Sequence, residues 1–103
     1  EVKKYCRVAN AVDLPFDDNS IDVVISITTL HNLEENDLRA ALLEIERVAK
    51  RGSFITLDAY RDDNEKDRME AWNLTAKTVM RVDQWKEFFA DVGYSGDYNW
   101  FIP

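Results

Sequence analysis

Ile21, Val23, Val24, Ile25 and Ile27 form an almost unbroken β-branched run. Its length and composition predict a strand buried on both faces, as in a parallel sheet. A turn is expected just before it. Pro15 fixes its own φ and biases Leu14 towards extended backbone, while Asp17, Asp18, Asn19 and Ser20 favour turns by bonding their own main chain. After a loop over 28–36, Leu38, Ala41, Leu42, Ile45, Val48 and Ala49 recur at spacings of three and four, which predicts a helix over 37–50. Asn36 is placed to cap it, Asp37 suits its positive end, Lys50 and Arg51 its negative end, and Gly52 should stop it. A second strand follows over 54–59, and strand, helix and strand in this order predict a right-handed parallel crossover.

The second half is more amphipathic. Met69, Trp72, Ala76 and Val79 predict a helix within 62–80, weakened where Thr75 and Thr78 fall. Asp83 is placed to cap a further helix whose apolar face is Trp85, Phe88, Phe89 and Val92, with Gly93 at its end. Residues 96–102 predict a last, aromatic strand, and residues 4–9 a short first one that ends at Asn10. The fold class expected is α/β, a mainly parallel sheet with flanking helices.

At 103 residues the chain is one domain at most. It opens on Glu1 a few residues before a strand end, so an excised part of a longer protein is expected. Twenty acidic against 13 basic residues give a formal net charge of −7, which opposes binding to a phosphate backbone, so no nucleic-acid partner is expected. No apolar run is long enough to span a bilayer, so no membrane role is expected. The single Cys6 forms no intrachain disulfide and no thiolate metal cluster, which fits a cytoplasmic location.

The wording Leu14-Pro15-Phe16 with Asp18-Asn19-Ser20, then Asp22-x-Val24, preceded by Asn10-Ala11 and followed by Thr29-Leu30-His31-Asn32, resembles the class I S-adenosylmethionine-dependent methyltransferases. The subgroup it resembles includes the ubiquinone and menaquinone biosynthesis enzymes. The resemblance implies an incomplete Rossmann-like methyltransferase fold, with residues 1–103 forming the C-terminal part of one methyltransferase domain. The Gly-rich turn that holds the cofactor in that family is missing: only Gly52, Gly93 and Gly96 occur, none in a Gly-x-Gly context.

The resemblance also implies a cofactor, S-adenosylmethionine, and a site. Asn10 would contact the adenine amino group, and the amide of Ala11 or Val12 a ring nitrogen; Asn10 could instead simply cap a turn. Ser26, Ile27 and Thr28 would hold the methionine portion. His31, the lone histidine, is the candidate general base, or else a residue that packs and closes the pocket. Tyr60 and Arg61, with Asp58, would form a substrate wall, although Asp58 and Arg61 could equally be a plain surface pair. Trp72 is the main aromatic candidate for the substrate, with Asn73, Trp85, Tyr98 and Trp100 as further surface that belongs mostly to the core. No metal is implied.

The function expected is methyl transfer to a small-molecule acceptor, with this chain inactive by itself. The alternative is a non-catalytic interaction module on the same sheet; a nicotinamide oxidoreductase is disfavoured, since neither Tyr-x-x-x-Lys nor a Gly-rich signature occurs. With the strand Ile21–Ile27 uncovered on one edge, a homodimer or higher oligomer through that edge is expected.

Overall fold

The computed structural model of the chain describes residues 6–103. Four strands, β1 (Ile21–Ile27), β2 (Ala49–Tyr60), β3 (Met80–Arg81) and β4 (Asp97–Phe101), alternate with helices α1 (Glu35–Val48), α2 (Asp63–Trp72) and α3 (Val82–Val92). The sheet is parallel throughout. Ile25 pairs with Phe54 between β1 and β2, Leu57 with Trp100 between β2 and β4, and Ala59 with Met80 between β2 and β3. This is the α/β class that the periodicity predicts.

Odd-numbered residues of β2 face α1 and α3. Ile55, Leu57 and Ala59 are fully buried against Leu38, Leu42 and Ile45 of α1 and Trp85, Phe88 and Phe89 of α3. Trp85 stacks near Phe89, and Phe89 lies against the rings of Tyr94, Tyr98 and Trp100. Trp85 thus belongs to this aromatic core, Trp100 is partly buried against it, and Tyr98 lies at its exposed rim. The opposite face of β1 is bare: Val23, Ile25 and Ile27 are 54, 66 and 52% exposed. The two-sided burial read from the β-branched run is therefore corrected, because among the described residues the helices α1 and α3 cover one face only.

Several boundaries move, each for a local reason. Helix α1 starts at Glu35, and the residue before it, Glu34, forms no side-chain cap, so Asn36 lies inside the first turn instead of capping it. Its end is not a glycine stop. Ala49 is already extended, and residues 49–52 join β2, where Ala49 pairs with Ile21 and Gly52 with Val23. Ladder bonds to β1 thus claim the backbone that periodicity alone assigned to the helix. Helix α2 starts at the cap Asp62, which accepts from the Glu65 amide at 2.9 Å. It stops at Asn73, whose side chain closes its own turn with both the amide and the carbonyl of Ala76. Asp83 lies within α3, and the first orphan amide, that of Arg81, is satisfied by Gln84 at 3.1 Å. Gly93 ends α3 in the left-handed region at φ 85°, as expected. The strand read over 4–9 falls partly on residues 1–5, outside the described residues, and residues 6–9 have no regular structure.

The Leu-Pro-Phe turn is stapled to α1 by one guanidinium. Arg47 donates to the carbonyls of Leu14 (3.0 Å) and Phe16 (2.7 Å) and to the carboxylates of Asp18 (2.9 Å) and Glu44 (2.8 Å). Glu44 accepts in turn from the Leu14 amide at 2.7 Å. The Arg47 hydrogen bonds, then that amide, hold the Glu44 carboxyl down to about 2.

Two outcomes follow for the 103-residue chain. Because the Glu44 carboxyl ionises more readily when folded, its contribution is complete above about 4.5 and is lost as pH falls towards about 2. Arg47→Met should flatten that acid limb in denaturant titrations across this window, and an unchanged limb would refute the staple. Leu57→Ala should cost about 2–5 kcal/mol, whereas Ile25→Thr on the bare face should stay within about 0.5 kcal/mol; urea midpoints compare the two.

Candidate functional site

The carboxyl ends of β1, β2 and β4 surround a cavity of about 380 Å³, lined chiefly by Thr28, His31, Asn32, Asp58, Trp72 and Phe101. A cleft at strand ends is where an open parallel sheet binds ligands. The chain enters it through Thr28, a β-branched residue at φ 48°. Such backbone costs on the order of 1–3 kcal/mol and persists only where its surroundings enforce it. Here Thr56 on the neighbouring strand does so, receiving the Thr28 amide on its hydroxyl at 2.8 Å and on its carbonyl at 3.1 Å.

From Thr28 the chain turns into a single 3-10 turn, Leu30–Asn32, in which Leu30 plugs the core and His31 is buried. The amide of Asp58 donates to His31 Nδ1 at 3.2 Å, and His31 Nε2 lies 3.4 Å from Asp58 Oδ2. An acceptor at Nδ1 puts the proton on Nε2, where it faces the carboxylate. The ring therefore clamps Asp58 by main chain and side chain together. Burial lowers the His31 pKa, with the Asp58 charge opposing, and burial raises that of Asp58, with His31 opposing. The His31 carbonyl accepts the amides of Lys77 and Thr78, which ties the segment after α2 to the same turn. Thr75 adds a hydroxyl bond to Asn32 Oδ1 at 2.9 Å.

Of the residues marked in the sequence, Thr28, His31, Asp58, Trp72 and Asn73 come together here. Trp72 is 57% exposed, and its ring centroid lies 5.3 Å from that of Phe101. Ser26 and Ile27 lead into the site along β1; Ser26 is half-buried, and the Ile27 carbonyl accepts from Thr29. Tyr60 lines a separate small cavity of about 100 Å³ with Lys66 and Met69. Arg61 pairs with Glu65, so the Asp58–Arg61 surface pair does not form and Asp58 pairs with His31 instead. Thr56, Thr75 and Phe101 were not marked. Their pairing partners are distant in sequence, and periodicity carries no trace of them.

Asn10 makes a tight turn outside the cavity. Its Oδ1 accepts from the Val12 amide at 3.1 Å and its carbonyl from the Asp13 amide at 3.0 Å. Of the two amides considered for a ring nitrogen, Val12 is thus taken, whereas Ala11 has no partner among the described residues. The free Ala11 amide and a neutral hydroxyl-bearing strand end at Thr28 suit a ring nitrogen and an amino acid, while the Asn10 carboxamide oxygen, already engaged by the Val12 amide, keeps a second lone pair for an adenine amino group. In that respect the donor set fits S-adenosylmethionine.

The clamp has a titration signature. His31 should populate the Nε2–H tautomer and titrate below its ordinary value of 6.5. Removing the carboxylate charge with Asp58→Asn should lower it further, since that charge favours the imidazolium. Imidazole NMR against pH reads both, and an upward shift in the variant would exclude the pairing.

Similarity to known proteins bears on the family and the fold. Residues 1–57 match the family described as methyltransferase domain. A tRNA (carboxymethyluridine(34)-5-O)-methyltransferase of Arabidopsis thaliana is 34% identical over 79 residues, which is 76% of this chain and 19% of that protein. An uncharacterized protein of Haemophilus influenzae is 33% identical over 98 residues, 89% of this chain and 39% of its own length. The chain thus spans less than half of either relative. A complex between the Haloferax volcanii Trm112 methyltransferase activator and a methyltransferase contains a chain of the same fold, with a TM-score of 0.63 at 24% identity, covering 88% of this chain and 43% of that one.

These relatives correct the partner expectation of a small-molecule acceptor and no nucleic acid. One relative is named for a tRNA nucleoside, and the solved structure holds a protein activator. A formal charge summed over 103 residues sets the mean field and not the potential at one face, so it does not decide a nucleic-acid partner. Likewise, that no helix among the described residues is long and apolar enough to cross a membrane is a statement about those helices and not a location. With the family matched over more than half of its length and the parallel sheet in place, the chain belongs to the class I methyltransferase domain family.

Proposed function

We propose that the protein containing this chain is an S-adenosylmethionine-dependent methyltransferase acting on a uridine of tRNA, and that residues 1–103 form the C-terminal part of its catalytic domain. The observation that carries this reading is the 34% identity to the Arabidopsis tRNA methyltransferase, together with a strand-end cavity of about 380 Å³ bordered by aromatic and amide side chains. A cavity of that size suits a nucleoside.

The bound cofactor supplies an electrophilic methyl on a sulfonium. The chain's own residues supply position. Asn10 with the Ala11 and Val12 turn would hold the adenine, and Ser26, Ile27 and Thr28 at the end of β1 would hold the methionine portion. What these residues would add to methyl transfer is alignment of the acceptor and exclusion of water. A protein partner like the activator in the Haloferax complex is a reasonable companion for the rest of the fold.

The test is methyl transfer from labelled S-adenosylmethionine to total tRNA isolated from cells lacking the gene, using the full-length protein. Incorporation into a uridine nucleoside is expected, and its absence with or without an activator would overturn the reading. Asn10→Ala should weaken cofactor binding by about 1 kcal/mol, one hydrogen bond's worth, in calorimetric titration. Unchanged affinity would remove Asn10 from the site.

A further inference from the structure

We propose that the cavity beside His31 is a subsite for the imide edge of a pyrimidine, with Asp58 accepting the ring N–H, Asn32 donating to the adjacent carbonyl and Trp72 stacking on the ring. This deepens the reading of the protein as a tRNA uridine methyltransferase and rests on it.

Three observations converge. The Asp58 carboxylate touches His31 alone among the described side chains, and no fully enclosed side-chain oxygen is left without a partner, so its remaining acceptor capacity is reached from the cavity. Burial raises the carboxyl's pKa, and the neutral ring of His31 offers only an N–H dipole, so a further N–H donor from a ligand meets an unfilled demand. Asn32, on the same wall, accepts from the Thr75 hydroxyl through Oδ1, which leaves its NH2 without a partner among the described residues. The Trp72 ring, more than half exposed and braced by Phe101, supplies a flat apolar face beside them. An acceptor, a donor and an aromatic plane match the N–H and the flanking carbonyl of uracil.

In this arrangement His31 is a positioning residue. Its Nδ1 accepts the Asp58 amide at 3.2 Å and its Nε2 lies 3.4 Å from the carboxylate, so Asp58 is held beside the ring without a cation.

The experiment uses the full-length protein with free uridine, 3-methyluridine and cytidine as probes, in ligand-observed NMR titrations. Methylation of tRNA from cells lacking the gene is measured in parallel. Wild type should bind uridine roughly tenfold or more tighter than 3-methyluridine, the value of one hydrogen bond to a charged group. In Asp58→Asn the His31 proton takes the amide oxygen and leaves an NH2 facing the ligand. Discrimination against 3-methyluridine should vanish and the preference should shift towards cytidine, whose ring nitrogen accepts. Trp72→Ala, at an exposed position that leaves the core intact, should weaken all three nucleosides.

Equal binding of uridine and 3-methyluridine by wild type, or unchanged discrimination in Asp58→Asn, would overturn the subsite. If tRNA is still methylated in that case, the proposed function stands without it. Uridine discrimination that depends on Asp58, with no methylation of tRNA, would leave the subsite in place and remove the tRNA reading.

Discussion

Strand β2 is hydrogen-bonded along most of its twelve residues, and every other strand reaches the sheet through it. Parallel strands cannot pair through a tight hairpin, so each partner of β2 must be brought alongside by a crossover that packs on a sheet face. Here α1 and α3 do this on the same face. The buried side chains Ile55, Leu57 and Ala59 are therefore shared by two helices, and most of the apolar core is one cluster around this strand, with Val48 and Met69 buried outside it. The alternate residues Phe54, Thr56 and Asp58 point the other way, where the described residues provide much less cover. One strand thus carries both the core and the polar groups of the site, separated only by the pleat.

That alternation explains why the site is rigid although it is made from loops. Asp58 is flanked by Leu57 and Ala59, both with no exposure, and its carbonyl accepts the Trp85 indole N–H at 3.1 Å. Its backbone cannot shift without opening the core. His31 is fixed from the other direction, by Leu30 in the core and by the two amides of Lys77 and Thr78 on its carbonyl. The left-handed backbone of Thr28 is the cost of bringing that turn close enough to reach Asp58, and the double acceptance by Thr56 offsets it. Replacing either threonine alters the approach of the turn before it touches any ligand.

Local chemistry was readable wherever one residue type decides the outcome. The β-branched run marked β1, the three-and-four spacing of Leu38, Ala41, Leu42 and Ile45 marked α1, and Gly93 marked the end of α3. Readings failed where a distant partner decided. Gly52 reads as a helix stop in one dimension, but pairing with Val23 makes it part of a strand. Asn73 falls inside the predicted helix, yet its bonds to Ala76 end α2 well before the predicted boundary. Asp58 beside Arg61 suggests a surface pair until the strand is built, because neighbours in a strand point to opposite faces and Arg61 sits just past its end. The contact that organises the site, Asp58 with His31, spans 27 residues and has no periodic signature.

Charge remains the sharpest constraint on how such a chain could serve a tRNA substrate. Some of its cations are committed at home: Arg47 to Glu44 and Asp18, Arg61 to Glu65, and Arg39 to Asp91. What remains on this segment is a net charge of −7, which repels a polyanion at long range. Recognition of a nucleic acid divides, however, into contacts that hold the phosphates and contacts that read a base, and the two need not share a surface. A cavity with one oriented carboxylate and an aromatic wall suits the second task and is unsuited to the first. On the proposed function, an acidic surface here is then useful, because it disfavours phosphates near the cavity and admits a base only once the backbone is gripped elsewhere. The grip would come from the remainder of the protein or from a partner, and the affinity of the whole for tRNA would depend steeply on salt while the choice of base at this site would not.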